Sequence, residues 1–299
     1  MLYPRPQSGA GESFERGILG GFAAQNTPIG GKTMYAKVNG VRLAYSYRGQ
    51  RHANVLLLIH GFPLDRHMWD SQLRELSSEV GVIVPDLRGH GQSEVPPGPY
   101  SMDQHADDLA GLLDHLGVRR VILGGLSMGG YVAFAFWRRH ASRVQALILA
   151  DTRAEADSVV ARVNRDAMAA RVQEAGVEAL VEEMLPRLLA PESLANPRLA
   201  DQVKAMIRRQ KPAGVIAALA GLRDRPDSQP TLSTITVPTL LLAGEADRLT
   251  PPEGMMTMAK AIRNAQLVVV PRAGHLSPLE NPRAFNSAVR AFLRTLTSG

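Results

Sequence analysis

Short apolar runs alternate with longer amphipathic stretches along most of the chain, beginning near Thr33. Two alternating segments, Met34–Val38 and Val41–Tyr47, flank Asn39-Gly40, a dipeptide typical of a two-residue hairpin turn. We therefore expect the ordered chain to open with two antiparallel strands. Continuous apolar runs predict further strands that are buried on both faces. These runs are Val55–Ile59, Val80–Val84, Val121–Leu123, Val144–Ala150, Val237–Ala243 and Leu267–Val270.

Amphipathic segments between these runs predict helices. Ser101 and Gln104 form a capping box, leucines follow at helical spacing, and Gly117 ends the segment. Other helices are expected at Met68–Leu76, Tyr131–Arg139, Pro252–Ile262 and Phe285–Leu296. This alternation of strands and helices predicts an α/β fold with a mostly parallel central sheet and helices on both faces.

The alternation stops after the sixth predicted strand. Residues 153–233 contain helical patterns but no convincing strand, so an all-helical cap is expected to be inserted into a core of residues 33–152 and 234–299. The helical patterns are Val159–Ala175, Val177–Leu189 and Leu199–Arg209. Prolines are expected to break the cap helices at Pro186, Pro191, Pro197, Pro212 and Pro226.

Residues 1–32 are rich in glycine, show little periodicity and are predicted to form a flexible leader. The stretch Ile18–Ala24 is apolar, but Glu12 and Glu15 precede it, where a signal peptide would carry positive charge. We therefore expect a cytoplasmic location, with export as the alternative.

Composition narrows the class of protein further. The chain of 299 residues is 45% hydrophobic and 21% charged, which excludes a collagen and a wholly disordered chain. It has no cysteine, so disulfides and zinc–thiolate sites are excluded. Its net charge of +6 comes from bases interleaved with acids, so no nucleic-acid partner is expected. No apolar stretch approaches the ~20 residues of a membrane span, and a homo-oligomer is compatible with this composition.

A glycine-rich turn carries the first candidate for chemistry. The segment Gly124-Gly125-Leu126-Ser127-Met128-Gly129-Gly130 lies between a predicted buried strand and a predicted helix, the context of a G-x-S-x-G nucleophile turn. Small residues are needed on either side of the serine because the turn is sharp, and the helix aims its N–H groups at the hydroxyl. Ser127 is the candidate nucleophile, and an incidental serine in a glycine-rich connection is the structural alternative.

A serine nucleophile needs a base and a carboxylate that orients the base. His275 follows the last predicted strand, and Asp247 follows the strand before it, so Ser127, Asp247 and His275 occur in the order of an α/β-hydrolase triad. Asp151 also follows a strand and is the alternative acid. Glu245 is expected to lie in the turn and to face away.

Backbone N–H groups should stabilise the negative charge that develops on a substrate carbonyl. We expect one from Met128, directly after the nucleophile, and one from Phe62 in the loop after Val55–Ile59, because Pro63 cannot donate. His60 is interpreted as a structural residue beneath this loop, and no chemistry is assigned to His90. The remaining histidines are interpreted as helix-surface or loop residues: His52, His67, His105, His115 and His140.

These motifs, taken in order, resemble the α/β-hydrolase superfamily over about residues 34–297. They are His60-Gly61, Asp86-x-Arg88-Gly89-x-Gly91-x-Ser93, Gly125-Leu126-Ser127-Met128-Gly129, Gly244-x-x-Asp247 and Gly274-His275. The elbow and Asp151-Thr152-Arg153 are similar to the 3-oxoadipate enol-lactone hydrolase group. Ser127 stands where haloalkane dehalogenases carry an aspartate, and Phe62 stands where perhydrolases often have tryptophan.

The residues and the resemblance together predict a serine hydrolase that cleaves small carboxylic esters or lactones without a metal or an organic cofactor. A perhydrolase or a lyase with the same triad is the alternative enzyme, and a small-molecule receptor is the non-enzymatic alternative. Four cap residues are expected to line an acyl pocket, with ordinary packing within the cap as the alternative: Met168, Met184, Leu188 and Met206.

Overall fold

The computed structural model describes residues 31–297, so all but the last two residues of the predicted leader lie outside the described part. Eight strands form one sheet in the order β1-β2-β4-β3-β5-β6-β7-β8. The strands are β1 Met34–Val38, β2 Val41–Arg48, β3 Val55–Ile59, β4 Gly81–Pro85, β5 Val121–Leu126, β6 Val144–Ala150, β7 Thr239–Gly244 and β8 Ala265–Val270.

The pairing of the strands is largely the one that the sequence predicts. Strands β1 and β2 form an antiparallel hairpin, and positive φ angles at Asn39 and Gly40 (48° and 77°) close its turn. Strand β2 also pairs antiparallel with β4, and every later pairing is parallel. Every residue of β3, β4, β5 and β7 is buried, as their continuous apolar runs predict.

The helices form two separate layers around this sheet. Helices α2 and α3 pack on each other and against β1, β3, β5 and β6, whereas α1 packs on α12 and these two contact β4, β7 and β8. The core helices are α1 Asp70–Leu76, α2 Met102–His115, α3 Met128–His140, α10 Pro252–Ala261, α11 Ser277–Glu280 and α12 Pro282–Thr297. No helix within residues 31–297 is long and apolar enough to cross a membrane.

The segment between β6 and β7 is helical, and none of its described residues forms a strand. Its helices are α4 Val159–Ala175, α5 Glu178–Leu188, α6 Pro191–Leu194, α7 Pro197–Arg208, α8 Pro212–Arg223 and α9 Gln229–Leu232. The sequence analysis missed α8. Most of its residues are buried, so its sequence lacks the polar face that makes an amphipathic helix recognisable. We call residues 153–233 the cap.

The expectation for the prolines was partly wrong. Pro186 lies inside α5 and does not break it. Pro191, Pro197 and Pro212 each occupy the first turn of a helix, where a missing N–H costs no hydrogen bond and the fixed φ angle favours the helix. These three prolines therefore begin cap helices.

The turn from β5 to α3 brings two backbones into contact. A Cβ atom at Gly125 would overlap the carbonyl group of Gly129, and one at Gly129 would overlap the carbonyl oxygen of Ile59 at the end of β3. Only glycine fits at both positions. The first turn of α3 is therefore held directly against the end of β3.

Three buried histidines, His60, His90 and His105, pack together where β3 and β4 end. The position of His105 contradicts a prediction. His105 was expected on a helix surface, but its side chain is fully buried in α2. Its ring centroid lies 6.3 Å from that of His90, which in turn lies 5.0 Å from that of His60. Burial, helped by the positive charge of Arg88, lowers the pKa of His105 to about 3.

We predict that Gly129→Ala lowers the free energy of unfolding by about 1–3 kcal/mol, because the added methyl group forces α3 away from β3. Gly254→Ala is the matched control, since Gly254 lies in α10 with open space around it, and should stabilise the protein by about 0.5–1 kcal/mol. Urea unfolding measures both changes. An unchanged midpoint for Gly129→Ala would contradict the close approach.

Because His105 is buried, we predict that the protein loses stability in acid. His105 stays neutral in the folded protein, whereas the unfolded chain takes up a proton near pH 6.5, so stability falls as the pH drops from about 6.5 towards 3. His105→Leu should reduce this slope by about 1.4 kcal/mol per pH unit, the effect of one proton.

The measurement for this second prediction is urea unfolding at several pH values between 6.5 and 4. His115→Leu serves as the control, because His115 belongs to the same helix but is exposed and should leave the slope unchanged. Equal slopes for the wild type and His105→Leu would show that His105 does not titrate on unfolding.

Candidate active site

Five neighbouring strands deliver the candidate residues to one edge of the sheet. Strands β3, β5, β6, β7 and β8 are consecutive in the sheet, and all run parallel. Phe62, Ser127, Asp151, Asp247 and His275 each lie just beyond the carboxyl end of one of these strands, in that order. Open parallel sheets place their ligand sites at this edge.

Ser127 occupies a strained turn between β5 and α3. Its φ and ψ angles are 53° and −113°, which a residue with a side chain adopts only when its surroundings require it. Its N–H donates to the carbonyl of Ala150 (3.0 Å), and its carbonyl accepts from the hydroxyl of Thr152 (2.8 Å). The end of β6 and the segment just beyond it therefore hold the backbone of Ser127 on both sides of the side chain.

Asp247 and His275 form a buried pair. Their side chains are 0% and 3% exposed, and Nδ1 of His275 lies 2.8 Å from Oδ2 of Asp247. The other carboxylate oxygen accepts from the N–H groups of Leu249 (2.8 Å) and Thr250 (3.0 Å). The carboxylate is thus held on both oxygens, and it presents one of them to the imidazole.

Thr250 is a functional candidate that the sequence analysis missed. Its hydroxyl donates to Oδ2 of Asp247 and lies 3.2 Å from Nδ1 of His275. Burial acts to raise the pKa of Asp247, but the charge and hydrogen bond of His275, with the bonds from Thr250, lower that pKa below its usual value. The spacing Asp247-x-x-Thr250 after a strand is the only signal that could have indicated this residue.

Asp151, the alternative acid, contacts other partners. It is fully buried, and its carboxyl group accepts from the N–H of Gly244 (2.6 Å) and from the hydroxyl of Ser277. Burial and the negative charge of Asp247 raise the pKa of Asp151 well above its usual value. Asp151 therefore links the loop that carries Asp247 to the segment that carries His275.

The loop after β3 passes beside Ser127. A Cβ atom placed on Gly61 would lie 3.5 Å from Cβ of Ser127. The N–H of Leu87 donates to Nε2 of His60 (3.0 Å), so Nδ1 of His60 carries the proton and donates to the carbonyl of Gly61 (3.0 Å). This bond, with one from the N–H of Leu64 to the same carbonyl (3.0 Å), holds the peptide group that joins Gly61 to Phe62. His60 thus takes the structural place expected of it.

Two backbone N–H groups are expected to stabilise an oxyanion. Met128 follows Ser127 directly in the chain, and Phe62 belongs to the loop that passes beside Ser127. Met128 begins α3, where an N–H has no partner within its helix. Within residues 31–297, neither this N–H nor that of Phe62 donates to another protein group. Phe62, Met128 and Ser127 all line one cavity.

That cavity has a volume of about 210 Å³ and lies between the sheet edge and the cap. His275 and Thr250 line it from the core, and Met168, Met184 and Leu188 line it from the cap, as expected. Met206 was expected there too, but it does not line the cavity; it is buried in α7. Ser127 and His275 both line this cavity, and among the described residues no hydrogen bond joins their side chains; bonds of this kind often tighten only when a substrate binds.

The cap is bonded to the loops that follow β3 and β4. Arg209 at the end of α7 makes a two-pronged ion pair with Asp65 (2.9 Å), and the side chain of Asp65 also accepts from the N–H of His67 (3.0 Å). Next to Arg209, the side chain of Gln210 accepts from the N–H of Gly91 (3.0 Å). The described residues contain no group of three or more ligating side chains that could hold a metal ion.

Comparison with known proteins identifies the family of this fold. Residues 54–282 match the family described as alpha/beta hydrolase fold. The chain is 29% identical over 258 residues to 3-oxoadipate enol-lactonase 2 of Acinetobacter baylyi, covering 85% of this chain and 94% of that protein.

Two solved structures are similar along nearly their whole length. A thermophilic esterase of Thermogutta terrifontis, solved with malate bound, is 45% identical with a TM-score of 0.85, covering 89% of this chain and 99% of that one. An enol-lactonase of Burkholderia xenovorans is 32% identical with a TM-score of 0.82, covering 87% and 100%. The chain therefore belongs to the alpha/beta hydrolase family and lies on the branch that includes esterases and enol-lactonases.

Proposed function

We propose that the protein is a serine hydrolase that cleaves carboxylic esters or lactones through an acyl-enzyme. The observation that carries this proposal is the buried hydrogen bond between Asp247 and His275, in the same cavity as a serine held in a strained turn. Similarity to an esterase at 45% identity and to an enol-lactonase at 32% supports the choice of esters and lactones.

The pairing with Asp247 favours the imidazole tautomer that the reaction needs. The carboxylate accepts a hydrogen bond from Nδ1–H of His275, which leaves the lone pair of Nε2 to act as the base. Nε2 takes the proton of Ser127 while Oγ attacks the substrate carbonyl, and Asp247 stabilises the imidazolium that results. Thr250 holds the carboxylate in line through its hydroxyl and its N–H.

The N–H groups of Phe62 and Met128 stabilise the tetrahedral oxyanion in this proposal. Their positions are set before any substrate arrives, because α3 is held against β3 and His60 fixes the peptide group of Phe62. Donors that need no rearrangement act on the transition state at little cost in reorganisation.

Two half-reactions complete the cycle. The bond from the carbonyl carbon to the leaving oxygen breaks, and His275 returns its proton to that oxygen, which leaves an ester of Ser127. A water molecule then gives a proton to His275 and attacks the acyl group. The proton passes to Oγ of Ser127, and the carboxylic acid departs.

We predict that Ser127→Ala abolishes hydrolysis of a short p-nitrophenyl ester and leaves the fold intact, because the variant removes the nucleophile without changing buried packing. Ser142→Ala, at an exposed position, is the control and should keep full activity. A fluorophosphonate probe should label Ser127 in the wild type. Labelling at another residue, or activity in Ser127→Ala, would refute the role of this serine.

A second pair of variants separates the two buried aspartates. Asp247→Asn should reduce kcat by several orders of magnitude, on the order of 10⁴-fold as in a serine protease, with KM little changed, because the amide favours the wrong tautomer of His275. Asp151→Asn should cost far less, since an amide can still accept from Gly244 and donate to Ser277, and Asp151 makes no hydrogen bond to His275 among the described residues.

Circular dichroism first confirms that both asparagine variants are folded, and kcat and KM are then compared. The reverse order of effects, with Asp151→Asn crippled and Asp247→Asn nearly normal, would move the acid to the end of β6 and leave the roles of Ser127 and His275 in place.

A further inference from the structure

The carboxylate of Glu280 accepts hydrogen bonds from two backbone N–H groups that lie far apart in the chain. Glu280 is the last residue of α11 and follows His275 by five positions. One of its oxygens accepts from the N–H of Leu276 (3.0 Å), and the other accepts from the N–H of Ala190 (2.8 Å). Hydrogen bonds to a carboxylate are stronger than those between neutral groups. Glu280 therefore joins the residue next to His275 to a residue of the cap.

Ala190 lies in the part of the cap that adjoins the cavity. It is buried between α5 and α6, and Leu188, two positions earlier, lines the cavity. A buried N–H group without an acceptor is costly, and Glu280 supplies the acceptor for the N–H of Ala190. The hydrogen bond thus connects the core to a cap segment whose own position decides the shape of the cavity.

The backbone of the same cap segment packs against the other neighbour of His275. A Cβ atom at Gly274 would lie 2.5 Å from the nitrogen of Ala190 and 3.0 Å from the carbonyl carbon of Leu189. Only glycine fits at so close an approach. His275 therefore lies between one residue that touches the cap directly and another that is linked to the cap through Glu280.

The backbone of His275 receives little support from regular structure. It lies in the connection between β8 and α11, and α11 has only four residues. Asp247 holds Nδ1 of the imidazole, but the direction of Nε2 also depends on where the backbone lies. A misplacement of about 1 Å between reacting groups can lower a rate by about 10²-fold. The links on either side of His275 can therefore affect the reaction without touching a reacting atom.

We propose that Glu280 is a positioning residue that couples the place of the cap to the place of the base. When the cap lies on the core, the carboxylate holds the backbone of His275 where Nε2 can reach Ser127, and breaking the link lets the base move away. Glu280 does not line the cavity and touches no substrate in this proposal. The inference rests on the proposed hydrolase mechanism and adds to it a residue and a role for the cap.

The first test measures hydrolysis of a short p-nitrophenyl ester by two variants of Glu280. Glu280→Ala removes both hydrogen bonds, whereas Glu280→Gln keeps one, because an amide has a single acceptor oxygen. We expect kcat to fall on the order of 10- to 100-fold in Glu280→Ala and by less in Glu280→Gln. KM should stay within about threefold of the wild type, because His275 acts in both half-reactions and the cavity lining is unchanged.

Glu245→Ala is the matched control for this loss of a carboxylate. Glu245 is exposed and accepts from the N–H of Arg272 (2.8 Å), three positions before His275, but within residues 31–297 it makes no hydrogen bond to the cap. This variant should keep kcat within about twofold of the wild type. Titration with a fluorophosphonate probe counts the active sites in each sample. A merely structural role of Glu280 would lower the number of sites and the Tm but leave kcat per site unchanged.

A substitution on the cap side tests the link itself. Ala190→Pro replaces the N–H by a ring carbon, while the φ angle of Ala190 (−60°) and the extended backbone of Leu189 before it (φ −113°, ψ 144°) both suit proline. This variant keeps the carboxylate of Glu280 and should still lower kcat at least as much as Glu280→Gln does. The double variant with Glu280→Ala should be no slower than Glu280→Ala alone, because the two changes break the same link.

The outcomes separate this inference from the proposed function. A wild type that hydrolyses no ester or lactone would overturn the proposed function. Wild-type kcat per site in Glu280→Ala or in a folded Ala190→Pro, or losses that multiply in the double variant, would overturn the coupling and leave the hydrolase in place. Circular dichroism shows whether each variant is folded, and Glu280→Gln, the mildest change, decides the matter if the proline variant is not.

Discussion

The contact between the first turn of α3 and the end of β3 is the constraint on which the rest of the site depends. Gly129 has no room for a side chain because the carbonyl oxygen of Ile59 lies where a methyl group would be. This contact sets how far Ser127 stands from the loop at Gly61 and Phe62, and the sharp turn at Gly125 forces the positive φ angle of Ser127. Strain at one residue is thus maintained by tight packing between backbones on either side of it.

Two buried carboxyl groups show how position alone separates chemical roles. Asp247 and Asp151 follow adjacent strands, yet His275 and Thr250 lower the pKa of the first, while burial and the charge of its neighbour raise the pKa of the second. Two negative charges so close together in a buried site would repel strongly. The lowered pKa favours the charged form of Asp247, which faces the imidazole, whereas Asp151 joins two loops.

The sequence predicted the fold well where local chemistry and tertiary environment agree. Val55–Ile59 and Val144–Ala150, two mainly apolar runs, form strands with the predicted bounds. The glycines on either side of Ser127 form the sharp turn that their sequence predicts. Errors arose where a residue's role depends on distant partners. The sequence around His105 does not show whether that side chain is buried or exposed. In the cap, the sequence does not show whether Met206 faces the cavity or another helix, and α8 has no polar face that would mark it as a helix. Glu280 and Thr250 could be recognised only once their partners were in place, and the roles given to Ser127, Asp247 and His275 remain predictions.

The position of the cap in the chain has a consequence for how the site comes into being. Ser127 precedes the cap, and Asp247 and His275 follow it, so the three side chains can meet only after the ribosome has released the whole helical segment and both later strands. The early strands can pair before His275 has been made, so in the proposed mechanism Ser127 lacks its activating partner during synthesis. On this proposal the growing chain becomes reactive only after its cap has been made and can cover the hydroxyl of Ser127.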